Sequence, residues 1–211
     1  MTSLIDRPSC LIYDTKRILY DTSLSIDADS VEAQIAARVK SERESRGWSL
    51  AELADKSGVS KAMLSKIERQ DVSPTAVILV RIATAFGRSL AELVTVPNSA
   101  ERLVRKADQP EWRDPATNYL RRQIFLAPDI PMELVEVFLP RGAKVAFPAS
   151  SYAHISKQVI WLLSGRLEIG EGTLTHILEE GDRLEFGAPA DRYLRNPGAK
   201  TCHYMVAVLR R

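Results

Sequence analysis

Lys61, Ala62, Ser65, Lys66 and Arg69 are spaced so that they lie on or beside one side of a short helix, opposite Leu64 and Ile67. That side offers ammonium groups, a guanidinium, a hydroxyl and a methyl. Such a mixture suits a groove of double-stranded DNA, where phosphates draw the cations and base edges meet the smaller groups. The bland alternative is the solvated face of a small helical bundle.

The elements that must hold this face lie between Ser49 and Arg69, in the run SLAELADKSGVSKAMLSKIER. Ser49 is placed to cap a first helix, and Glu52, three residues on, to answer back to the cap backbone as a capping box. Gly58 ends that helix where a left-handed residue is wanted, and Ser60 caps the next. Leu50, Leu53 and Ala54 give the first helix its apolar face. Caps, turn and apolar spacing agree with one another, which a chance polar helix seldom achieves.

The surroundings continue the helical pattern. From Ser30, Ile35 and Val39 mark one side of a helix running to Ser45 and stopping at Gly47, with Trp48 sealing the core beneath it. Ser73-Pro74 announces a further helix, with the serine as cap and the proline at the first helical position, ending at Gly87. Ser89 to Leu93 repeats the SLAEL string of 49 to 53, a second use of the same helix start. Five short helices over 31–96 make one small domain, ended by Pro97-Asn98-Ser99.

Residues 1–30 form an N-terminal extension with an echo, Leu11 to Thr15 and Ile18 to Thr22, to which no function attaches. Residues 97–117, with Pro110 and Pro115, read as a linker. Beyond it, over 118–211, nine short strands alternate with Gly/Pro turns: 119–126, 132–139, 143–147, 158–163, 166–169, 174–178, 183–186, 192–195 and 201–209. Such a series predicts an antiparallel barrel or jelly roll.

Charge and cysteine usage narrow the partners. Residues 31–106 carry 13 basic and 9 acidic side chains against 13 and 13 in 107–211, so what basic surplus exists lies with the helices. Cys10 and Cys202 are far apart and show no metal-ligand spacing, so they read as free thiols. No stretch approaches the roughly 18 apolar residues of a membrane span, and the N-terminus lacks a basic region followed by an apolar run. These features predict a cytoplasmic protein with no membrane partner.

Over roughly Ile35 to Val94, the chain resembles the Cro and phage-repressor-like (XRE) helix-turn-helix family. The likeness rests on Arg43, the GWSLAELADKSGVSKAMLSKIER run, Pro74 and the IATAFG segment. It implies a lambda-repressor-like domain in which Arg43 pairs with Glu68 and pins the recognition helix. By the same resemblance, Lys61, Ala62, Ser65 and Lys66 meet base edges, Arg69 approaches backbone, and the backbone N–H groups at Ser49 and Leu50 face phosphate. One such module reads few bases, so a two-fold homodimer on a pseudo-palindromic operator is expected.

From about Glu133 to Arg210, the chain resembles the cupin family through Gly142, Gly165, Gly181-Asp182, Pro189 and Asn196. Where metal-binding cupins present two histidines, a glutamate and a last histidine, the matching positions hold Tyr152, His154, Gln158 and Arg192. An arginine among one imidazole, a phenol and an amide repels a divalent ion, so no metal, no cofactor and no enzymatic activity are expected. His176 and His203 read as satisfied structural residues.

Two roles remain open for this half, besides the less favoured one of a metal-dependent cupin enzyme. It could sense a small effector, with Arg192 and Gln158 holding an anionic or amide group, Tyr152 and His154 beside them and Ile160 and Leu162 as apolar wall. It could also serve only as a dimer clamp through Val159, Trp161 and Leu163. The expectation is a multidomain α-plus-β regulator of transcription.

Overall fold

The computed structural model describes residues 28–95 and 102–211. The N-terminal echo, Cys10 and the boundary at Pro97 to Ser99 lie outside the described residues. Five helices come first: α1 (Ala28–Ser45), α2 (Leu50–Ser57), α3 (Lys61–Glu68), α4 (Ala76–Phe86) and α5 (Leu90–Val94). Their apolar sides meet in a core of Ile35, Val39, Leu53, Leu64, Ile67, Leu79 and Ile82, all essentially buried. Both SLAEL strings form capping boxes, Ser49 with Glu52 and Ser89 with Glu92. Gly58 and Gly87 take positive φ at the ends of α2 and α4, where a Cβ would be strained.

The start of α4 differs from the expectation. Thr75 is its cap, accepting from the Ile78 N–H, and Pro74 lies ahead of the helix rather than at its first position. Ser73 is engaged elsewhere, because its hydroxyl donates to the Glu32 carboxylate on α1.

The second half builds ten strands. These are β1 (Glu111–Arg113), β2 (Leu120–Leu126), β3 (Met132–Leu139), β4 (Lys144–Phe147), β5 (Ile155–Ser164), β6 (Leu167–Glu171), β7 (Leu174–Leu178), β8 (Arg183–Glu185), β9 (Arg192–Arg195) and β10 (Cys202–Arg210). β1 falls within the stretch read as linker, where three residues are too few for a period-2 pattern and only pairing with β2 defines the strand. One sheet has the order β1-β2-β3-β10-β5-β8 and the other β4-β9-β6-β7; every pairing is antiparallel.

Alternation along the strands sends Val135, Val137, Ile160, Leu162, Ile169 and Val206 into a common interior. The turn glycines of the resemblance have physical work here. Gly165 has φ +91° and its position would bring a Cβ within 3.2 Å of the Cys202 backbone, so only hydrogen fits without displacement. Asn196 is fully buried and its amide donates to the carbonyls of Leu139 and Lys200. Cys202 is a buried free thiol whose pKa burial pushes up to about 12, which leaves it unreactive.

The helices and sheets are fastened together. α4 packs against β4 and the short 3-10 turn Ala149–Tyr152. At one end of α4, buried Asp114 accepts the Ala76 N–H at 2.7 Å, a helix cap supplied from outside the helical domain. Beyond its other end, the Ser89 hydroxyl donates to Glu133 Oε1 on β3 at 2.6 Å, and Arg210 on β10 pairs with Glu92 at 3.0 Å. No helix among the described residues is long and apolar enough to cross a membrane.

Candidate functional site

Two sets of residues stand out, one on α3 and one inside the sheets. On α3, burial of Leu64 and Ile67 turns Lys61, Ala62 and Lys66 outward, with Ser65 half-buried beside them. The Ser60 hydroxyl accepts the Met63 N–H, so its cap role holds the N-terminus of α3 in place. Arg69, just past the helix, is tied to Asp71 at 2.7 Å and donates to Ser65 Oγ at 2.7 Å. Both partners of that ion pair are exposed, so the pair contributes little and a phosphate can replace it at small cost.

The expected arginine–glutamate pair between α1 and α3 has close geometry. Arg43 Nε lies 2.7 Å from Glu68 Oε1 and Nη2 lies 2.8 Å from Oε2, a two-pronged contact. Its remaining nitrogen donates to the Trp48 carbonyl at 2.9 Å. Hydrogen bonding to Glu68 holds the Arg43 pKa above its ordinary value. Trp48 stacks on Phe86 with ring centroids 5.9 Å apart, and Arg46 lies over both rings, closing this end of the domain.

Ser49 meets its expectation only in part. Its backbone N–H already donates to the Glu52 carboxylate at 2.7 Å, so the donor offered to phosphate is occupied. Those hydrogen bonds from Ser49 hold the Glu52 pKa below the usual carboxylate range. The Ser49 hydroxyl accepts from the Glu52 N–H at 3.2 Å, completing the capping box.

Inside the sheets, Tyr152 and Gln158 both meet Arg192, and His154 lines one cavity with Tyr152 and Gln158 while also feeling the charges of Glu92 and Arg210. The Arg192 side chain is only 2 % exposed. Its three nitrogens are all engaged: with Glu171 at 2.8 and 3.1 Å, with Gln158 Oε1 at 3.1 Å, and with the carbonyls of Gly187 and Ala188. The rings of Tyr152 and Phe186 lie 4.1 and 4.2 Å from its centre.

Arg192 is thus committed to the fold rather than free to clamp a ligand, which corrects the expectation for this residue. Glu171 and Phe186 were not foreseen. Glu171 closes a strand 21 residues away in sequence, and nothing local marks it as the partner.

This donor set does not fit a divalent ion. A guanidinium occupies the position of one ligand, and Gln158 Oε1 already accepts from it. Among the described residues, no group of three or more His, Cys, Asp or Glu side chains could hold a metal. Burial pushes the Tyr152 hydroxyl well above its ordinary pKa and lowers that of His154, so both are neutral at neutral pH. His203 stacks on Phe138 and bonds Glu136 at 2.8 Å, a structural arrangement.

Glu133 is a further residue the sequence argument passed over. It is 1 % exposed and faces inward with Val135 and Val137. An acid on the inward face of an alternating strand was the available signal. On the opposite, outward face of the larger sheet, Trp161 is 52 % exposed and lines an apolar groove with Leu134, Val159, Met205 and Ala207.

Comparison with known proteins places these features. Residues 39–93 match the helix-turn-helix family HTH_3. The chain is 28 % identical over 170 residues to the HTH-type transcriptional regulator SutR of Escherichia coli strain K12, covering 81 % of this chain and 91 % of that protein. It is 35 % identical over 68 residues to the regulator SinR of Bacillus subtilis strain 168, which spans 32 % of this chain and 61 % of SinR. The crystal structure of an HTH_3 family transcriptional regulator from Vibrio cholerae superposes with a TM-score of 0.72 at 24 % identity. It covers 86 % of this chain and 98 % of that one, a likeness of fold.

Proposed function

We propose, from the match of residues 39–93 to the HTH_3 helix-turn-helix family, that the chain is a transcriptional regulator that reads a double-stranded DNA operator as a homodimer in the cytoplasm. The carrying observation is the outward face of α3, held in a fixed pose by the Arg43–Glu68 contact. Lys61, Ala62, Ser65 and Lys66 are the base-facing residues in this reading, with Arg69, Ser49 and Ser60 toward phosphate. Lysine donates to guanine O6 or N7, and the alanine methyl meets a thymine methyl.

The second copy is supplied through the outward face of the larger sheet. Trp161, Met132 and Leu209 are large apolar side chains exposed there, and burying them between two copies joins two reading heads. The cupin-like half acts without a metal and without catalysis, a reading supported by the Arg192 guanidinium at one ligand position, which donates to Gln158 at another. It senses a small molecule, a role supported by the buried polar atoms left without partners inside it.

Selection of a preferred duplex from random DNA, followed by fluorescence anisotropy with Lys66→Ala, tests the reading. The variant should lose about tenfold or more in affinity for the selected site and relax its base preference. Unchanged affinity and preference would move the reading face off α3. Metal analysis of the purified protein tests the other half of the proposal, since a stoichiometric transition metal would contradict it.

A further inference from the structure

A cavity of about 100 Å³ lies between the two sheets beside α4, with Val80 and Thr84 of α4 and Arg88, Ser89 and Leu90 beyond it contributing to its wall. Most of the lining is aliphatic or aromatic, from Val137, Val145, Ile160 and Leu194 among others. Against that wall, four buried polar atoms have no hydrogen-bond partner: Thr84 Oγ1, Arg121 Nε, Ser151 Oγ and His154 Nε2. Ser151 is itself 6 % exposed, so bulk water does not satisfy it.

Leaving one such group unmet costs roughly 1–3 kcal/mol, and proteins seldom leave several in one place. Their grouping points to a guest. The charges are unequal as well. Glu133 also faces the cavity, but it already takes the Ser89 hydroxyl and lies 3.6 Å from Arg210 Nε. Arg88, which also lines the cavity, pairs with Glu92 at 3.1 Å. Arg121 lines this cavity with a buried Nε that has no hydrogen-bond partner, though its charge also acts on Glu133.

We propose that the cavity binds a small aliphatic monocarboxylate of about five or six non-hydrogen atoms, given that a dry cavity of about 150 Å³ accepts benzene. Its carboxylate is held by Arg121 with the hydroxyls of Ser151 and Thr84, and its alkyl end fills the apolar part. Because Thr84 belongs to α4, the guest bridges the sheets and the DNA-reading domain. α4 packs on α2 and α5, so occupancy bears directly on how that domain is held. The inference rests on the sensing role proposed above and supplies its site and ligand class.

Thermal unfolding and calorimetric titration of the full chain with sodium butanoate test it, with butanamide and butylamine as controls of similar size. Butanoate should raise the melting temperature with concentration, and the two controls should not. Arg121→Gln should remove the shift, and Thr84→Val should weaken binding several-fold while keeping the side-chain shape. Each variant's melting temperature without ligand shows that it folds.

The site is overturned if neither propanoate nor butanoate binds, if butylamine binds instead, or if folded Arg121→Gln and Thr84→Val both respond as the parent does. Operator titrations with and without butanoate separate the two claims. A thermal shift with unchanged operator affinity keeps the site and rejects sensing; intact operator binding with no thermal shift rejects the site alone.

Discussion

Replacing Glu68 by alanine isolates what holds α3 in its reading pose. Two short contacts, 2.7 and 2.8 Å, join its carboxylate to Arg43, and the two side chains are 9 % and 13 % exposed. Deleting one partner of a fully buried pair costs about 3–5 kcal/mol, because the other charge is left uncompensated. Arg43 keeps its bond to the Trp48 carbonyl and a looser 3.4 Å contact with Glu44, and a tenth of its surface meets water. The expected loss is therefore about 2–3 kcal/mol, less than the fully buried figure.

Circular dichroism at 222 nm during urea unfolding reads this loss, since the helices dominate that signal. The cycle of Arg43→Ala, Glu68→Ala and the double variant should show a coupling of about 1–3 kcal/mol, because each single change removes the same contact. A loss below about 0.5 kcal/mol, the size of an ordinary surface substitution, would refute the reasoning, as would additive single effects.

Glu133 predicts a pH dependence. Burial raises its pKa above the ordinary 4.5, against the opposing Ser89 hydrogen bond, so the folded state holds its proton to higher pH than the unfolded chain does. Its contribution is fully present below about 4.5 and is lost as pH rises through the folded pKa. Glu133→Gln should keep the Ser89 contact and gain stability relative to the parent as pH rises, read from urea midpoints. If the chain pairs through the proposed sheet face, Trp161→Glu should sediment as a monomer where the parent sediments as a dimer, with the melting curve of the sheets retained; a parent that is monomeric, or a variant that stays dimeric, would refute that interface. Gly170→Ala should cost about 1–3 kcal/mol in chemical denaturation, since the added Cβ would fall 2.0 Å from the Tyr193 ring. That ring is held by the Tyr193 hydroxyl donating to Glu168 and by Lys144 4.0 Å from its centroid, so it cannot swing aside freely.

What the sequence by itself determined was local. The paired capping boxes, the left-handed glycines after α2 and α4 and the apolar spacing of Leu64 and Ile67 act over a few residues, so α2 and α3 and the outward face between them were legible in order. Strand alternation likewise marked β3, β7 and β9 to the residue. Tertiary structure decided the rest, because it depends on partners distant in the chain. The cap of α4 passed to Thr75 once Glu32 engaged Ser73, and Asp114, 38 residues on, completed that helix end. Arg192 looked like a ligand clamp until Glu171 and the rings of Tyr152 and Phe186 enclosed it. The cavity is formed by side chains of both sheets together with α4, and no spacing along one strand records which side chains will face each other across it.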